Sequence, residues 1–179
     1  MIKQIVCTII YSLMLMVSLA HGEELRNASA FFDNSFGDLS EEADTARAEG
    51  KTGILIMFEE DDCPWCRRMK ERVLNRASVQ DYFHKNFRIL TINVEGGTMI
   101  VNFDGTEIKE KEFAQKHNRV RATPVFAFFN TDGEFLTRFT GTSKTVEEFL
   151  WLGEFVVTGE YQNGRFSTYK RARLKNSAG

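Results

Sequence analysis

Cys63-Pro64-Trp65-Cys66 is where this sequence concentrates its chemistry. On a helix, two cysteines three positions apart bring their sulfurs within bonding reach. The apolar run Ile54–Phe58 before them reads as a strand buried on both faces. After them, Cys66, Met69 and Val73 recur at helical spacing and face inward, with Arg67, Arg68, Lys70 and Arg72 on the outer side. Cys63 therefore sits where a strand hands over to a helix. Free backbone N–H groups and the helix dipole favour negative charge there, and the thiolate is the nucleophilic form of cysteine. Pro64 suits the first helical position, where its missing N–H costs nothing. The spacing predicts Cys63 exposed at the tip and Cys66 shielded one turn in, an attacking thiol and a resolving thiol. Trp65 offers a partner a flat apolar contact, or packs as a helix-start aromatic.

Other readings of the pair are weaker. A structural disulfide closing so short a loop constrains the unfolded chain little. A metal site needs further ligands, and His84 and His117 belong to separate helical patterns and read as surface residues, so no metal is expected. An accidental spacing fits poorly with a strand-to-helix junction. Gly50-Lys51-Thr52 resembles the tail of a phosphate loop, but Thr45 stands where that loop needs glycine, and the pattern precedes a strand. Pro124 is the second signal. A proline ahead of a buried strand needs a reason. A trans bond at the strand start is the ordinary case; a cis Thr123–Pro124 bond would turn the chain toward the Cys63 end of the sheet. It would leave the Thr123 backbone free to pair with an extended peptide.

Composition narrows the field. The 179 residues suit one domain, with 42% hydrophobic and 27% charged residues, an ordinary globular balance. A net charge of −2 gives no basic footprint for nucleic acid. Residues 1–20 carry Lys3, an apolar run to Val17 and small residues at Ser18 and Ala20. This predicts an export signal cut after Ala20, the alternative being an uncleaved membrane anchor. Cleavage removes Cys7, leaves Cys63 and Cys66 as the remaining cysteines, and delivers the chain to a disulfide-permissive compartment such as the periplasm.

The elements that must position the pair follow from periodicity and punctuation. Residues 21–38 read as a polar N-terminal extension with Phe31, Phe32 and Phe36 as possible anchors, and 39–160 as the domain. Ser40 could cap a helix that Gly50 ends. A short helical pattern surrounds Val79–Phe83, and Phe87–Val94 reads as a strand. A hairpin spans Thr98–Ile108 with Asp104-Gly105 at its turn. Glu110–His117 is helical, Val125–Phe129 is a third buried strand, and Glu134–Thr140 alternates as an edge strand. Thr145 could cap a last helix, Val146–Val157, stopped near Gly159. Strands alternating with helices imply a mostly parallel sheet with an antiparallel edge. Residues 161–179 read as a solvated basic tail.

The order strand, Cys-Pro-Trp-Cys, helix, Thr-Pro, strand pair, helix resembles the thioredoxin superfamily over roughly Leu39 to Gly159. Phe58-Glu59 before the motif, the inserted hairpin and the ending Phe155–Tyr161, with Phe166 and Tyr169 beyond, resemble the exported SoxW-like thioredoxins. The resemblance implies an α/β thioredoxin-like fold, a central mixed sheet flanked by helices, with the hairpin inserted before the cis-proline strand. It implies thiol–disulfide exchange, with Cys63 attacking, Cys66 resolving, and Thr123 and Pro124 holding the substrate chain. Pro64 and Trp65 would border that chain. The redox-active disulfide would be the whole of the machinery, with no cofactor. Many relatives carry a buried carboxylate six residues before the first cysteine; here Met57 stands there. Glu59 is the candidate substitute, with Glu60 beside it. The implied activity is a protein-disulfide reductase, taking electrons from a membrane thiol-reductant transporter. It would pass them, as a monomer, to exported disulfide-containing, cytochrome-maturation or sulfur-oxidation clients. An oxidase or isomerase with the same residues, and a thioredoxin-fold binding module whose cysteines only lock the structure, are the rivals.

Overall fold

The computed structural model describes residues 23–177. The segment read as an export signal, and Cys7 within it, lie outside these residues.

Four strands build the main sheet: β1 (Gly53–Glu59), β2 (Phe87–Asn93), β5 (Val125–Phe129) and β6 (Phe135–Thr140). Their order is β2-β1-β5-β6, and β3 (Met99–Val101) and β4 (Glu107–Lys109) form a separate antiparallel hairpin. Five helices flank the strands: α1 (Leu39–Ala48), α2 (Pro64–Met69), α3 (Ala77–Asn86), α4 (Glu110–Glu112) and α5 (Val146–Val157). Both α2 and α4 run on as π-helical turns, Lys70–Leu74 and Phe113–His117.

The sheet is mixed, but not mostly parallel. Only β1 and β2 run parallel; β5 is antiparallel to β1, and β6 to β5. The reason lies in the connection after β2. Helix α4 and its π turn comprise 3 and 5 residues, a rise of about 12 Å. Strand β2, with 7 residues, runs about 23 Å. So short a helix does not carry the chain back along the sheet. Strand β5 therefore starts at the end where β2 stops, with Val125 opposite Phe58 and Phe58 opposite Ile92.

Alternation along β1 divides the core in two. Leu55 and Met57 join Phe87, Ile89, Phe126 and Phe128 under α2, α3 and α5. Ile54, Ile56 and Phe58 join Leu90, Ile92, Ala127 and Phe129 under α1 and α4. Both faces are apolar, which is why the run reads as continuous.

Several local expectations change. Asp38, not Ser40, caps α1: its carboxylate accepts from the Ser40 and Glu41 N–H groups at 2.9 and 3.0 Å. Asp38 is the last residue with extended backbone, the conformation a cap requires. Gly50 follows the helix with a positive φ of 68°, where a side chain would be strained. Phe31 anchors the N-terminal extension in the core, while Phe36 is fully exposed. His84 is not a free surface residue; its ring bonds the Ala30 carbonyl at 2.9 Å. The basic end is not a solvated tail, because Phe166–Ser177 forms a helix, α6. Phe166 and Tyr169 lie 5.6 and 5.3 Å from the Phe155 ring, and Lys170 pairs with Glu148 at 2.8 Å.

Candidate active site

Strand β1 delivers the chain to the sheet end, and a short acidic loop, Glu60-Asp61-Asp62, leads to Cys63. Cys63 caps α2 with extended backbone, and Pro64 occupies the first turn. The Cys66 N–H donates to Cys63 Sγ at 3.0 Å, so a free donor of the helix start points at the sulfur. The two cysteines are joined in a disulfide with Cα atoms 5.2 Å apart.

Cys63 is not exposed in this oxidised state. It is 4% accessible and Cys66 2%. Across the sheet end, the segment at Thr123 stands against Cys63. The Thr123–Pro124 peptide is cis, as expected, and Pro124 is buried. Thr123 Oγ1 stands 3.3 Å from Cys63 Sγ and donates to Glu60 Oε1 at 2.9 Å. Trp65 is 58% exposed beside the sulfurs rather than packed, and Pro64 is exposed too.

The two candidate carboxylates diverge. Glu59 follows Met57 on the same side of β1, facing the layer that contains Cys66. Its carboxylate pairs with Lys70 at 2.6 Å and accepts from Thr91 Oγ1 at 2.9 Å. Among the described residues it makes no hydrogen bond to either sulfur. Glu60 is the carboxylate tied to the disulfide, through Thr123. The signal for that link, a carboxylate three residues before Cys63 and a hydroxyl before Pro124, stands in the sequence without its spatial meaning. A cleft lined by Glu60, Val94, Gln115, Arg121 and Thr123 opens beside them.

A model of the thioredoxin-like domain matches residues 39–156. The chain belongs to the thioredoxin-like family. No curated protein matches this thioredoxin-like chain. Among solved structures it is similar to a thioredoxin-fold protein from Helicobacter pylori, with 20% identity, a TM-score of 0.62, and coverage of 84% of this chain and 94% of that one. A putative disulphide-isomerase from Bacteroides thetaiotaomicron is 24% identical, with a TM-score of 0.54 and coverage of 77% and 97%. A thioredoxin from Thermus thermophilus is 25% identical, with a TM-score of 0.51 and coverage of 65% and 82%. This chain is thus a thioredoxin-like oxidoreductase fold carrying a Cys63–Cys66 pair. Among the described residues no helix is long and apolar enough to cross a membrane.

Proposed function

We propose that this chain is an exported thiol:disulfide oxidoreductase of the SoxW-like kind, running mainly as a reductase. The observation that carries the reading is the Cys63–Cys66 disulfide at the mouth of α2, with Thr123 seated against the Cys63 sulfur. In the reduced protein the Cys63 thiolate attacks one sulfur of a client disulfide. A Cys63–client bond forms and one client thiolate leaves, taking a proton. Cys66 then gives up its proton and attacks Cys63 Sγ, releasing the second client thiolate and closing the Cys63–Cys66 bond. The client gains two electrons and the chain loses two; a dithiol donor restores it by the reverse steps.

Glu59 is the acceptor for the Cys66 proton in this scheme. What supports it is its side of the strand, two residues beyond Met57 and toward the layer of Cys66. Thr123 and Pro124 hold the client chain, and Pro64 and the exposed Trp65 indole border it. The chain acts as a monomer and needs no cofactor beyond its own disulfide. Export rests on the pattern of residues 1–20, with the periplasm as the destination. The donor is a membrane thiol-reductant transporter, and the clients are exported disulfide-containing, cytochrome-maturation or sulfur-oxidation proteins.

Insulin reduction by the mature protein with dithiothreitol as donor tests the activity. Turnover should vanish in Cys63→Ser, and Cys66→Ser should accumulate mixed disulfides. Turnover that survives Cys63→Ser overturns the assignment of roles. A reduction potential near that of strong oxidants, about −120 mV, overturns the reductase direction.

A further inference from the structure

The Thr123 hydroxyl carries a single proton and has two acceptors in reach. Glu60 Oε1 is at 2.9 Å and Cys63 Sγ at 3.3 Å. A carboxylate accepts more strongly than a disulfide sulfur, so the proton lies toward Glu60. That leaves an oxygen lone pair of Thr123 facing the sulfur. After reduction this arrangement suits a Cys63 thiol, whose S–H can donate to Oγ1 while Oγ1 donates to Glu60. It opposes a thiolate, which would need the Thr123 proton for itself.

We infer that Glu60 is a positioning residue for Cys63: by holding the Thr123 hydroxyl proton it keeps the Cys63 sulfur protonated more of the time than the helix start alone would. The consequence reaches the redox couple. A stabilised thiolate makes a dithiol pair a strong oxidant; opposing that thiolate makes the pair more reducing. This deepens the proposed function and rests on it only for the direction of electron flow.

Other charges lie on the elements that meet at this end of the sheet. Asp61 accepts from Asn93 Nδ2 at 3.0 Å, and Asp62 is exposed on the same loop. Arg67 and Arg68 are exposed on α2, and Arg121 and Glu95 border the cleft beside Glu60. Glu59 is ion-paired with Lys70. Among all of these, Glu60 alone is coupled to Cys63 through a shared hydroxyl among the described residues.

The test reads the Cys63 midpoint from pH-dependent iodoacetamide alkylation of reduced protein, mapped by mass spectrometry, and the potential from equilibration with glutathione. Glu60→Gln should lower the midpoint, raising the Cys63 thiolate fraction at neutral pH about threefold, equivalent to about half a pKa unit. The potential should become more positive. Thr123→Ser keeps a hydroxyl and should preserve the effect of Glu60→Gln. In Thr123→Val the effect should largely disappear. An unchanged midpoint and potential in Glu60→Gln overturn the inference. So does an equal shift in the Thr123→Val background, which would be a bare charge effect acting through space. Both readings are made without any client. Absence of insulin turnover in the unaltered protein counts against the oxidoreductase reading, while the midpoints decide the role of Glu60.

Discussion

The layer of α2, α3 and α5 and the layer of α1 and α4 bury the same sheet from opposite sides, with different contents. On the first, Phe83 stacks on Phe149 at 4.7 Å, Phe126 meets Phe149 at 5.0 Å, and both cysteines join the cluster. On the second, Phe58 and Phe113 stack at 6.0 Å, and the helix contributes the small residues Ala43 and Ala46. The second layer also carries an ionic knot at its rim: Arg88 of β2 binds Glu42 of α1 at 2.5 Å and Asp33 of the N-terminal extension at 3.1 Å. One face of the sheet supports the reacting sulfurs, and the other fixes the strands that hold them. Stability should be spread over both layers, and thiol reactivity should answer to packing on the first and to Glu60 and Thr123 at the sheet end.

The largest effect on stability is expected from Arg88→Met. Glu42 and Asp33, both largely buried, would lose the guanidinium they share, Asp33 keeping the Ile89 N–H and the more distant His84 ring, at a cost of about 3–5 kcal/mol. Urea unfolding measures this, and the alkylation rates of the reduced cysteines should stay within error. A changed Cys63 rate would erase the division between the faces.

Next come two truncations at neighbouring positions of β1. Met57→Ala and Ile56→Ala each remove a fully buried side chain, and each should cost about 2–5 kcal/mol. Met57 lies on the cysteine side and Ile56 on the other. Only Met57→Ala should change the Cys66 alkylation rate. Equal changes from both would mean that the sheet transmits strain without regard to face.

A smaller effect belongs to the start of α1. Asp38→Ala should cost about 1 kcal/mol through the lost cap. The Ser40 hydroxyl, then the Glu41 N–H, hold the Asp38 carboxyl below its ordinary range. Its contribution is therefore fully present above the unfolded value, near pH 4, and is lost as pH falls through the lower folded value. In that window the unfolded chain binds more protons, so stability rises with pH, and the Asp38→Ala variant should lack this part of the slope. Smallest in stability is Glu59→Gln, which weakens a part-exposed ion pair with Lys70 by about 1 kcal/mol or less. It should nonetheless slow the release of a preformed mixed disulfide, read by quenched-flow; an unchanged rate removes Glu59 from the proton path.

Much of this frame is legible in the residues. The runs at 54–58 and 125–129 become β1 and β5 because both faces of the sheet are covered. Thr145 caps α5 through the Glu148 N–H, and Gly159 closes it with positive φ. Other features depend on contacts between distant segments. Thr123, 60 residues away, stands against the Cys63 sulfur, and spacing along α2 carries no trace of it. The direction of β5 depends on where a short helix leaves the chain. Helix α6 has a polar composition and little amphipathicity. Its signals were the Phe166 and Tyr169 pair one turn apart, and Lys170 and Arg173 placed to meet Glu148 and Glu154 of α5. Those acids become partners only after α5 is in place.

The most direct test is competitive alkylation of the fully reduced chain across pH 5 to 10, with each cysteine followed separately. Cys63 should be modified first at every pH, with a midpoint below the free-cysteine value of about 8.5. Should Cys66 react first, or both cysteines titrate like free thiols, the sulfur at the start of α2 would not be the nucleophile.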